Sequence, residues 1–258
     1  MTQRTVWIAG ITAISLLAAL LLPAAPQPLA YHDFADHRAL LGVANALDVL
    51  SNAGFLLAGL AGLWIALRRE TCFVHAFERV PYVVFFAGVT LTAIGSGWYH
   101  LAPDNERLFW DRLPMTIAFM ALVAAQVGDR IDARMGVALL APMLLIGFAS
   151  VVYWRATERA GAGNVVPYGI LQGYSVVILL LIALWLPSRY TRGEDLYAVF
   201  GAYVVAKIAE TVDAPIYALG HLVSGHTLKH LAAAVGAALV CRMLLRRTLA
   251  MRSPVPAR

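Results

Sequence analysis

Residues 166–186 read VPYGILQGYSVVILLLIALWL, without one Asp, Glu, Lys or Arg. The hydrocarbon of a bilayer takes about 20 apolar residues wound as a helix. In lipid each backbone N–H and C=O must be paired within its own segment, so such a run is a helix. Working outward, comparable runs occupy 6–22, 46–67, 80–101, 113–127, 133–152, 196–218 and 222–245. Pro23, Pro26 and Pro28 end the first run, and Pro187 with Arg189 closes 166–186. The 258 residues are 60% hydrophobic and 14% charged, with a mean hydropathy of +0.72. A soluble domain would be roughly a quarter charged. The expectation is therefore an all-α polytopic membrane protein crossing a bilayer seven or eight times. A seven-helix core spans 31–247, an extra N-terminal transmembrane helix and linker occupy 1–30, and a tail follows at 248–258.

Loop charge orients these helices. With the N-terminus inside, Arg4, Arg68, Arg69, Arg79, Arg130, Arg134, Arg189, Arg192 and five arginines from Arg242 onward fall inside. Arg38, Arg107, Arg112, Arg155 and Arg159 fall outside, while Lys207 and Lys229 lie within helices. Thirteen arginines against five place both termini in the cytoplasm. The net charge of +5 is thus a matter of topology and no argument for nucleic acid. The first segment also resembles a signal peptide, but without a clean A-x-A site it reads as an anchor. Cys72 and Cys241 lie too far apart in sequence to imply a disulfide framework.

Ionisable groups inside a membrane domain are costly and mark function by default. Of seven histidines, His100, His221, His226 and His230 gather at the outer end of this topology. His226 and His230, in GHTLKH, are four residues apart and share a helix face. Two imidazoles so spaced can bind one metal, and His100 would complete a three-nitrogen set with a position left open, the pattern of a catalytic zinc. Imidazole suits zinc, and redox metals usually come with other ligands. The pair alone equally fits a haem pair, a proton relay or hydrogen bonding between helices. Ser96, four residues before His100 in GSGWYH, shares its helix face; taken singly it eases helix packing beside Gly95 and Gly97. Asp111, taken singly, is an interfacial partner for Arg112 or Arg107. Lys207, Glu210 and Asp213 share the seventh segment, where Lys207 and Glu210 read as a buried ion pair. Tyr168, Gln172 and Tyr174 either line a cavity or bond between helices. Trp98, Trp110 and Trp154 read as an aromatic belt.

Taken together, Ser96-x-x-x-His100, then Asp111, then His226-x-x-x-His230 in the last helix resembles the alkaline ceramidase family of seven-helix membrane hydrolases. NALDVLSNAGFLLAGLAGL, opening the second helix, looks like that family's first core helix. The resemblance implies a zinc amidase with His100, His226 and His230 on the metal. Asp111 would deprotonate the water and protonate the leaving amine, and Ser96 would support the ligand shell or the oxyanion. It further implies a lipid amide as substrate, ceramide-like or another N-acyl lipid, with the scissile bond at the outer interface. Eukaryotic relatives carry an acidic calcium-binding stretch before this helix, which makes Asp33, Asp36, Asn45 and Asp48 candidate Ca2+ ligands; their other reading is a hydrated loop with helix N-caps. The chain looks bacterial, so the expected place is the inner membrane with the metal site on the periplasmic side. A non-catalytic receptor or scaffold of the same superfamily, a haem or proton-relay protein and a rhomboid-like serine protease are the alternatives. Oligomeric state is not legible here.

Overall fold

The computed structural model describes residues 3–69 and 72–250, which are helical without strands. Ten helices follow in chain order: α1 (Gln3–Leu21), α2 (Ala46–Leu50), α3 (Ala53–Arg68), α4 (Arg79–Leu101), α5 (Asn105–Arg130), α6 (Ala133–Arg159), α7 (Val166–Trp185), α8 (Asp195–Thr211), α9 (Asp213–Ala218) and α10 (Gly225–Arg246). With α2 and α3 taken as one span, seven described helices are long and apolar enough to cross a membrane, while α8, with 17 residues, is shorter. The chain is an all-α polytopic protein, as its hydropathy requires. Residues 251–258, with Arg252 and Arg258 of the inside count and most of the expected tail, lie outside the described residues.

Six helices make the frame: α4 packs on α3 and α5, α5 on α6, and α10 on α3 and α8. Helix α1 buries no residue and lies against α7, where Thr12 Oγ1 and the Tyr174 hydroxyl are 3.0 Å apart. This extra helix is therefore peripheral to the core. Residues 248–250 run back along the α7–α8 loop, the Ala250 N–H donating to the Arg189 carbonyl at 2.8 Å.

Three segment boundaries differ from the hydropathy reading. Helix α5 begins at Asn105 instead of 113, because Asp104 caps it by accepting the Arg107 N–H at 2.7 Å. Asp111 is thus in the second turn of a helix rather than at its start. Helix α6 continues past 152 to Arg159, where Arg155 and Arg159 both pair with Glu106. The expected helix 196–218 is broken at Val212. Pro215 explains the break, since it has no N–H for the Thr211 carbonyl and its ring would strike that group.

Candidate metal centre

Helix α4 carries His100 in its last turn, and α10 carries His226 and His230 in its first two. All three are buried, between 1% and 4% exposed, and one ring nitrogen from each lies within 4.8 Å of the others. They are the one such group of three metal-ligating side chains among the described residues. His226 Nε2 and His100 Nε2 are 3.3 Å apart. Two nitrogens held at 2.0–2.1 Å around a tetrahedral zinc would stand about 3.3 Å apart, so the spacing fits.

The hydrogen bonds around His230 fix which nitrogen it offers. Ser51 Oγ donates to the Asp48 carbonyl at 3.0 Å and so receives His230 Nδ1–H at 2.8 Å. The same N–H lies 3.2 Å from the Asp48 carbonyl. Nε2 of His230 is thereby left as a lone pair facing the other two rings, the arrangement that outer partners give a metal-ligating histidine. His100 differs: its Nδ1 is buried without a partner, although its carbonyl accepts the Asn45 side-chain amide at 2.8 Å. Buried imidazoles with convergent lone pairs, one of them oriented from behind, are a donor set that suits zinc.

Close backbone approaches deliver these side chains. At Gly95 a Cβ would lie 1.9 Å from the Trp110 carbonyl oxygen, so only glycine lets α4 and α5 meet there. That contact brings α4 against the backbone of Asp111, whose N lies 3.3 Å from where the Cβ would stand, and both Ser96 and Asp111 are buried. At Gly225 a Cβ would meet the Ala209 carbonyl at 2.2 Å, so the start of α10 is pressed into the α8–α9 break. Asp213, freed by that break, accepts the His226 N–H at 2.7 Å and the Ala35 N–H at 2.9 Å. It pins the outer loop over the site. Phe34 of that loop packs against His100 and His226 with its ring tilted to theirs, the centroids 4.7 and 4.3 Å away.

Ser96, His100, Asp111, His226 and His230 are thus brought to one end of the bundle. His221 stays outside the group, its ring edge-on to Tyr217. Of the calcium candidates, Asp33, Asp36 and Asp48 form no metal-ligating group of three among the described residues. Asp33 is exposed beside His37, and Asp36 pairs with Arg38, which holds its carboxyl below the usual range. Asn45 supports His100, and Asp48 accepts Thr227 and Ser224 hydroxyls at 2.6 and 3.2 Å. Asp111 makes no ion pair with Arg112 or Arg107 among the described residues. Arg112 instead donates to Gln27 and lies against the Trp154, Tyr168 and Tyr31 rings. Trp154 is fully buried and so does not belong to an aromatic belt, whereas Trp98 and Trp110 are half exposed.

Phe34, Ser51 and Lys229 escaped the sequence reading as site residues. Lys229 carried a signal, standing between the two histidines of HTLKH; Phe34 and Ser51 carried none, since both come from other segments. No protein-family model matches the chain, and no curated protein matches it either.

Proposed function

We propose that the protein is a zinc-dependent membrane amidase that hydrolyses the amide bond of an N-acyl lipid, in the manner of the alkaline ceramidases it resembles. The observation that carries this reading is the convergence of three buried imidazoles, on α4 and α10, at the end of the bundle where α5 buries the Asp111 carboxylate. His100, His226 and His230 would hold the ion. Bound zinc would polarise the amide carbonyl and bring the pKa of a water to about 7.

The remaining work falls to the chain's own groups. Asp111 takes the proton from the attacking water and returns it to the amide nitrogen as the C–N bond breaks. The acyl carbon keeps the water oxygen, so the products are a carboxylate and an amine. Ser96 would support the ligand shell or the oxyanion, and Ser51 with the Asp48 carbonyl holds His230. Phe34 roofs the imidazoles and excludes bulk water. In this reading the histidine end faces the periplasm, which gives the arginine-rich end to the cytoplasm.

Metal analysis of the detergent-purified chain, wild type beside His226→Ala, tests the site, and a panel of N-acyl lipids tests the activity. About one zinc per chain, lost in the variant, with release of fatty acid, is the expected outcome. Zinc without turnover of any amide would leave a metal-bearing scaffold, and no zinc in either protein would remove the enzyme reading.

A further inference from the structure

Where α1 meets the end of α7, the arginine-rich end of the bundle holds a cavity of about 380 Å³, a size usual for small-ligand sites. Arg4 of α1, Arg130 at the end of α5, and Trp185, Ser188, Glu194 and Tyr197 around the α7–α8 loop line it. Arg130 donates to the Leu186 carbonyl at 2.5 Å, to the Gly193 carbonyl at 2.8 Å and to the Gln126 side chain at 3.2 Å. Arg4 donates to the Trp185 carbonyl. These bonds cap the last turn of α7, whose carbonyls have no partner within the helix. Capping by neutral carbonyls leaves both guanidinium charges in place.

Neither arginine pairs with a carboxylate among the described residues. Glu194, the one acid among the described lining residues, lies 3.7 Å from Arg192 instead. The other acids of this end have arginines as well: Asp195 has Arg192 and Arg242, Asp129 has Arg247 and Glu78 has Arg189. Asp132, exposed before α6, has Arg134 two residues on. With the Glu194 charge counted in full, two arginines against one carboxylate leave the lining one positive charge in excess. The cavity is also bordered by apolar surface on its α7 side, where Leu184 is exposed, and α1 buries no residue.

We infer that this cavity binds the phosphodiester head group of an anionic phospholipid, with Arg4 and Arg130 on the phosphate and the acyl chains leaving along Leu184 of α7. A lipid is the source because the cavity lies between the ends of two helices long and apolar enough to cross a membrane. Basic pockets between such helices on the cytoplasmic side take anionic head groups, and the leaflet there supplies them. A single negative charge matches the single positive excess, while Glu194 opposes it. The bound lipid also holds α1 to the core, which α1 otherwise touches without burying a residue. The site stands at the end opposite the histidines and needs neither a metal nor an amide substrate.

The test is equilibrium binding of dioleoylphosphatidylglycerol and of zwitterionic dioleoylphosphatidylcholine to the full chain in detergent. A hydrogen bond between charged groups predicts that the wild type binds the phosphatidylglycerol about tenfold more tightly. That preference disappears in Arg4→Gln and grows in Glu194→Gln, where the opposing carboxylate is gone. It is unchanged in Arg134→Gln, which alters an exposed arginine outside the cavity. Equal affinities in the wild type overturn the inference, as does a preference that survives in folded Arg4→Gln. A loss in Arg134→Gln as large as in Arg4→Gln reduces the binding to diffuse surface attraction and overturns it too. Displacement of the phosphatidylglycerol by an equal concentration of inorganic phosphate would make this a site for free anions and overturn the lipid source. If Arg4→Gln fails to fold, Glu194→Gln decides, and an unchanged preference there overturns the inference.

Discussion

At the arginine-rich end, Asp129 receives the Arg247 Nη1 donor at 2.7 Å and the Tyr82 hydroxyl at 2.6 Å, with Gln126 donating to Tyr82 at 3.0 Å. Nearby, Glu78 takes the Tyr190 hydroxyl and pairs with Arg189, and burial together with Glu78 pushes the Tyr190 hydroxyl up to about 12. At the opposite end, three imidazoles turn lone pairs toward one point, and Asp111 has no cation bonded to it. Both regions bury polar groups in a membrane helix bundle. In the first, opposite charges meet directly and the network fastens α4, α5 and the end of α10. In the second, like groups converge and the chain alone does not satisfy them. Burial of charge thus marks structure where opposite charges meet, and points to binding where lone pairs of one kind are left facing each other.

This contrast can be broken by substitution. The largest expected effect is at the histidine end: His226→Ala, His230→Ala or His100→Ala should each abolish zinc binding in metal analysis, whereas Asp129→Ala should leave zinc content intact. Retention of full metal by the histidine variants would remove the site. Next, Asp111→Asn should keep the metal yet lower amide hydrolysis by about 10²–10⁴-fold, the usual worth of a general acid–base. Equal losses of metal and activity there would instead make Asp111 a ligand.

Asp129→Ala sharpens the other half, since it strands Arg247, whose side chain is 1% exposed. Breaking such a buried pair costs about 3–5 kcal/mol, to be read as a lower thermal unfolding midpoint. A midpoint within a degree or so of wild type would deny the network its structural role. The smallest effect is expected from Ser51→Ala, which removes an outer partner of His230. Loss of such a partner weakens metal affinity by about 10–100-fold in competition with a chelator; unchanged affinity would show that the Asp48 carbonyl suffices to hold the ring.

The sequence alone determined the helical class and the grouping of His100, His226 and His230 at one end. Hydrophobic length and arginine placement are one-dimensional quantities, and in a bilayer they act almost alone, because lipid forbids any other backbone arrangement. HTLKH carried its own spacing, so the pairing on α10 needed no tertiary knowledge. Helix ends were less legible where polar residues continue a helix beyond its apolar run, as in α5 and α6. Pro215 did announce the break after α8, but the apolar run hides it. Only the tertiary structure decided that Gly95 lets α4 meet α5 at Trp110 and Asp111, that Phe34 roofs the imidazoles, and that Ser51 orients His230. It also took Trp154 out of the expected aromatic belt and gave Glu210 to two lysines. Each of these depends on which helices touch and how closely, and small-residue contacts between backbones set that distance in three dimensions.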